Sequence, residues 1–89
     1  SYIPSTFPLQ SREVMEVINV MDREGDVLID GTFGHQWQYE SRVPVRKFRV
    51  PLLSRAQAVV CLKSDCAFTP TEKWIPIGGM PVGVWVRDL

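Results

Sequence analysis

The sequence predicts a mainly β protein of the α+β class, built as a small antiparallel barrel or a strongly twisted sheet capped by one N-terminal helix. Three observations predict it. Residues 26–40 alternate between two chemistries, several short runs rich in β-branched residues are bounded by Gly and Pro, and one amphipathic stretch at helical spacing precedes them. Alternation marks strands and a 3.6-residue period marks a helix, because those are the repeats with which side chains return to one face.

The N-terminal segment, residues 1–10, carries Pro4 and Pro8 and no clear period, so it reads as an arm. Residues 11–89 read as a single small β-rich domain, in keeping with a chain of 89 residues. The chain opens on Ser1 and shows no secretory leader, which suggests a processed product or an excised domain. Residues 11–24 set Val14, Val17, Ile18 and Met21 on one stripe, with Ser11 at the N-cap, Glu13 and Glu16 near the positive end and Gly25 just past the last turn. The caps favour a helix over the strand that its β-branched residues would prefer.

In 26–40 the odd positions are Val27, Ile29, Gly31, Phe33, His35, Trp37 and Tyr39, and the even ones, Leu28 apart, are polar or Gly. A straight strand of that length would span roughly 50 Å. A domain of this size has a radius of gyration of about 12 Å. The segment must therefore bend or break, and Asp30-Gly31 is a hairpin signal. The expectation is antiparallel sheet with Val27, Ile29, Phe33 and Trp37 buried.

Residues 42–53 read as a strand whose apolar face switches near Arg46-Lys47, as a β-bulge would cause. Pro44 and Pro51 place it at a sheet edge. Residues 56–63 form another strand, with Ala58, Val60 and Leu62 inward and Cys61 outward. Thr69-Pro70-Thr71-Glu72 has the capping-box form and predicts one helical turn. Residues 73–77 and 82–87 are the arms of a hairpin, with Val82, Val84 and Val86 on one face and Trp85 on the other, open to solvent.

Charge is zero overall but segregated. Residues 1–40 have a net charge of −5, residues 41–63 have +6 with no acid, and residues 64–89 have −1. With a pI near 6.5, pairing of the acidic and basic segments within the fold accounts for this better than a nucleic-acid surface does. No apolar run reaches the roughly 20 residues of a membrane span.

Candidate chemistry is sparse. Cys61 and Cys66 lack the two-residue spacing of zinc knuckles and thioredoxin motifs, and one pair does not point to a disulfide scaffold. His35 could serve a cysteine as a base or join both as a metal ligand. Each role needs a third group that the sequence does not identify, so His35 reads as a packing residue on an aromatic face. No catalytic residue, metal or cofactor is expected.

Residues 8–34, PLQSREVMEVINVMDREGDVLIDGTFG, resemble the start of the bacterial 16S ribosomal RNA cytosine-N4 methyltransferase family. There a helix leads into a strand that ends in a DGTFG-type turn approaching S-adenosylmethionine. The resemblance implies a doubly wound fold with that cofactor at the turn, and it covers under a third of the chain. His35-Gln36-Trp37 replaces the family's glycine-rich continuation, and no helix follows. A doubly wound fold also needs several βαβ units of about 30 residues or more each. A methyltransferase is therefore not the reading adopted.

The function expected from the sequence is a non-catalytic protein-protein interaction or assembly module, docking on a protein partner or on itself. Its contact surface would join an exposed Trp37 or Trp85 to the basic edge bearing Arg42, Arg46, Lys47 and Arg49. The alternative is a single-stranded nucleic-acid-binding small barrel of the OB or SH3-like kind, with those cations on phosphates and rings stacking bases.

Overall fold

A computed structural model describes residues 24–31, 43–80 and 82–88. The predicted arm, the predicted helix up to Arg23, and Phe33, His35, Trp37, Tyr39 and Arg42 lie outside those residues. Among the described residues, five strands form one mixed sheet: β1 (Asp26–Asp30), β2 (Val45–Lys47), β3 (Ala56–Cys61), β4 (Trp74–Pro76) and β5 (Gly83–Arg87), in the spatial order β2-β1-β3-β5-β4. The sheet is open, with β2 and β4 at its two edges, and does not close into a barrel.

The antiparallel expectation fails at the centre of the sheet. β1 runs parallel to both neighbours, with Val27 opposite Val45 on β2 and opposite Ala58 on β3. Only β3–β5 and β5–β4 are antiparallel. Parallel strands at the centre of a sheet are covered on both faces and read as continuous apolar runs. Val27, Leu28 and Ile29 are all fully buried, and so are Ala58, Val59 and Val60.

Two apolar layers result. Val27, Ile29, Val45, Ala58, Val60 and Val84 fill one face. Leu28, Ala56, Val59, Phe68 and Trp74 fill the other, with Phe48, Leu52, Leu53 and Trp85 packed against them. The parity read for residues 27–29 and 58–60 is right, but the opposite face, expected to be wet, is a second core. Each fully buried Val, Leu or Ile contributes about 1.5–3 kcal/mol of transfer free energy, so β1 and β3 carry most of the apolar burial among the described strands.

The second layer is organised around Phe68. Its ring meets Phe48, Trp74 and Trp85 edge-on at centroid distances of 5.8, 5.4 and 5.5 Å. Arg87 closes that cluster. Its guanidinium lies 4.5 Å from the Trp74 ring centre, its Nε donates to the Ala56 carbonyl at 2.8 Å, and its Nη2 donates to the Leu53 carbonyl. Trp85 is thus half-buried rather than open.

The expected N-terminal helical cap is not shown. The helix described is a six-residue 3-10 helix, Val50–Arg55, with Pro51 in its first turn. It replaces the second half of the strand read across 42–53, because proline's fixed φ and missing N–H suit a helical first turn better than a ladder. The turn predicted at 69–72 is also absent as a helix. Trp74 N–H donates to the Thr71 carbonyl at 3.0 Å, a tight turn that feeds β4. The hairpin of 73–87 is present, with Ile77 N–H bonded to the Val84 carbonyl at 2.8 Å.

Two glycines permit close approaches around β1. A Cβ on Gly25 (φ +118°) would sit 2.6 Å from the Arg55 carbonyl oxygen, and one on Gly31 (φ +129°) would sit 2.9 Å from the Leu62 Cβ. The Asp30-Gly31 step therefore ends β1 and passes against β3's exit without forming a hairpin. No helix among the described residues is long and apolar enough to cross a membrane.

Candidate functional site

Ladder bonds to β1 set which groups of β2 are available. Val27 N–H donates to the Pro44 carbonyl and Phe48 N–H to the Ile29 carbonyl, both at 2.8 Å. Backbone groups alternate along a strand, so Arg46 also turns its N–H and C=O to β1. Val45 and Lys47 turn theirs outward. Among the described residues β2 ends the sheet, and this outward row of two donors and two acceptors meets no described strand. An open groove of about 450 Å³ has Pro44, Val45, Arg46 and Lys47 as its described lining residues.

The opposite edge differs. Lys73 and Ile77 bond to β5, so Trp74 and Pro76 face outward on β4. Trp74 N–H is taken by Thr71, and Pro76 has none. That edge offers an added strand carbonyls alone, although Ile75 is 43% exposed.

Side chains on β2 divide between the two faces. Val45 is buried, while Lys47 on the same face is exposed. Arg46 points to the other face and reaches the Asp26 carboxylate, Nε to Oδ2 3.1 Å. Arg49 follows the strand and is exposed. Lys47 and Arg49 have no ion pair among the described residues, so three cations crowd residues 46–49 with one carboxylate beside them. Of the residues read from sequence as a contact surface, Arg46, Lys47 and Arg49 come together here. Trp85 lies across the sheet in the aromatic cluster, and Trp37 and Arg42 fall outside the described residues.

A second polar cluster lies beyond the carboxyl end of β1. Asp30 is buried, and its Oδ2 accepts from the N–H groups of Ala67 and Phe68 at 2.8 and 3.2 Å. Its Oδ1 lies 3.6 Å from Lys63 Nζ. This carboxylate is engaged by the 62–68 loop and is not presented to a ligand, although it opens the DGTFG stretch. Sequence reading missed that role; the available signal was an acid placed directly after an apolar run.

Cys61 and Cys66 close the same loop as a disulfide, Cα–Cα 6.1 Å, which their spacing did not suggest. Among the described residues no three His, Cys, Asp or Glu side chains gather as a metal site.

Comparison with known proteins finds no matching family model, no matching curated protein and no matching solved structure. The likeness of residues 8–34 to the methyltransferase family thus gains no support from the family models.

Proposed function

We propose that this chain is a non-catalytic interaction module that docks on another protein through the free edge of β2. The observation that carries the reading is the outward row of backbone groups on Val45 and Lys47, which no described strand takes up and which offers both donors and acceptors where the β4 edge offers carbonyls alone. Extended peptides add to such edges, taking affinity from main-chain hydrogen bonds and specificity from alternate side chains. The engaged Asp30 carboxylate and the cysteines' bond to each other support a non-enzymatic reading.

Nucleic acid is the competing partner. One feature weighs against it: half of the outward groups are carbonyl acceptors, which a phosphate cannot satisfy.

The test is selection of linear peptides from a random library against the folded protein, followed by amide hydrogen exchange on the tightest binder. The expected result is slowed exchange at the Val45 and Lys47 amides, with binding lost in Lys47→Pro, which deletes an outward N–H without touching the ladder to β1. Protection elsewhere would overturn the reading. So would micromolar binding of a labelled single-stranded oligonucleotide, steeply weakened by salt and reduced by Arg46→Ala with Arg49→Ala.

A further inference from the structure

We infer that the segment received by the β2 edge is a short, extended and acidic stretch of a different protein, an inference that rests on the docking edge proposed above. Charge and geometry carry it. An added strand places residues directly opposite and diagonal to Val45, Arg46 and Lys47, with alternate side chains on alternate faces. Lys47 lies on one face and Arg46 on the other. Both flanks of the incoming strand therefore meet a cation, and Arg49 extends the positive field beyond the end of β2. Asp26 occupies one nitrogen of Arg46, and a guanidinium has further N–H donors to offer.

The same geometry disfavours a second copy of this chain in the register centred on Arg46. Antiparallel pairing of β2 with itself, centred on Arg46, sets Arg46 against Arg46 and brings the two Lys47 side chains near each other. Like charges directly opposite destabilise a strand pair.

The edge also limits the length of its partner. Pro44 turns its carbonyl to β1, and the 3-10 helix with Pro51 begins at Val50. Roughly five residues of partner can be accommodated along a three-residue strand and its flanks, at the ~3.3 Å rise of extended chain.

The experiment uses two labelled peptides of one length, acetyl-Glu-Val-Glu-Val-Asp-amide and its Lys-Val-Lys-Val-Lys counterpart, titrated into the whole chain by fluorescence anisotropy at low and physiological salt. The acidic peptide should bind at least tenfold tighter, with Val45 and Lys47 amides protected and binding lost in Lys47→Pro. In Lys47→Glu, where only an exposed side chain changes, the acidic preference should fall at least tenfold; this arm decides the matter if the proline variant disturbs the sheet. Equal binding of both peptides, still at the β2 amides, would overturn the acidic partner and leave the edge reading intact. Acidic-peptide binding that leaves those amides unprotected would overturn the edge itself. A dimer in sedimentation that Lys47→Pro dissolves would replace the foreign partner by a second copy.

Discussion

Single residues at the ends of β1 decide how closely its neighbours approach. Gly25 packs on backbone, since a Cβ there would meet the Arg55 carbonyl oxygen at 2.6 Å, and a carbonyl within the 3-10 helix cannot move aside as a side-chain tip can. Gly25→Ala combines this clash with a positive φ, so a loss of about 2–4 kcal/mol is expected. Gly78→Ala is the control, because its Cβ would meet nothing within 4 Å. Urea unfolding of the two variants checks the contrast, and equal midpoints would contradict the packing at Gly25. Asp30 acts from the other end. Asp30→Ala strands the Ala67 and Phe68 N–H groups and should cost about 2–3 kcal/mol, whereas Asp30→Asn keeps a side-chain oxygen acceptor and should cost less. Such roles are hard to read in a sequence. An acid and a glycine after Ile29 look like a turn, and the partners that give them work, at 62, 67 and 68, are distant in the chain.

At the scale of elements, what could be read was each strand's own pattern. The parity of β5 survives intact, with Val84 in one layer and Trp85 in the other. Pro44 precedes β2, which is an edge strand among the described residues as expected, whereas Pro51 falls in the 3-10 helix. Which strand lies beside which was not legible, because alternation says which face a side chain takes and nothing about its neighbour's direction. A stronger cue lay in the continuous runs Val27-Leu28-Ile29 and Ala58-Val59-Val60, which suit a parallel strand covered twice. The longer alternation through residue 39 masked it. Of the aromatics, Phe48, Phe68 and Trp74 pack in or against the second layer, as large rings usually do, whereas Trp85, read as open to solvent, packs half-buried against the same layer. The disulfide depends on the path of the 62–65 loop. It ties the end of β3 to the residues that seat Asp30. Closing so short a loop, with a sequence separation of 5, should stabilise the fold by about 2 kcal/mol on the chain-entropy account. Urea midpoints with and without reductant, paired with thiol alkylation counted by mass spectrometry, measure this. An unchanged midpoint after both thiols are alkylated would remove the cross-link from the stability of the fold.

For the whole molecule, the division of charge and the double-faced sheet have one origin. β1 comes from the acidic part of the chain and lies between β2 and β3, both from the basic part. Both described ion pairs, Asp26–Arg46 and Asp30–Lys63, join the two parts. The first is largely exposed at its arginine end, 61%, so Arg46→Ala should change stability by less than about 1 kcal/mol. Burial of apolar side chains contributes more than these ion pairs and gives the sharper test of the architecture. A one-faced antiparallel sheet would leave one of two successive β3 residues wet. Here Val59 packs beside Leu28 and Phe68 on one face, Val60 packs beside Ile29 and Val84 on the other, and both are fully buried. Val→Ala removes two methyl groups' worth of burial at about 0.8 kcal/mol each, and the cavity left behind adds to that. Val59→Ala and Val60→Ala should therefore each cost about 2–3 kcal/mol, and the pair should fall short of additivity only slightly because the two side chains share no layer. Chemical denaturation of both single variants and the double variant measures this. A near-zero cost at Val59, with the full cost kept at Val60, would mean that the second layer is open to water and that the sheet is covered on one face only.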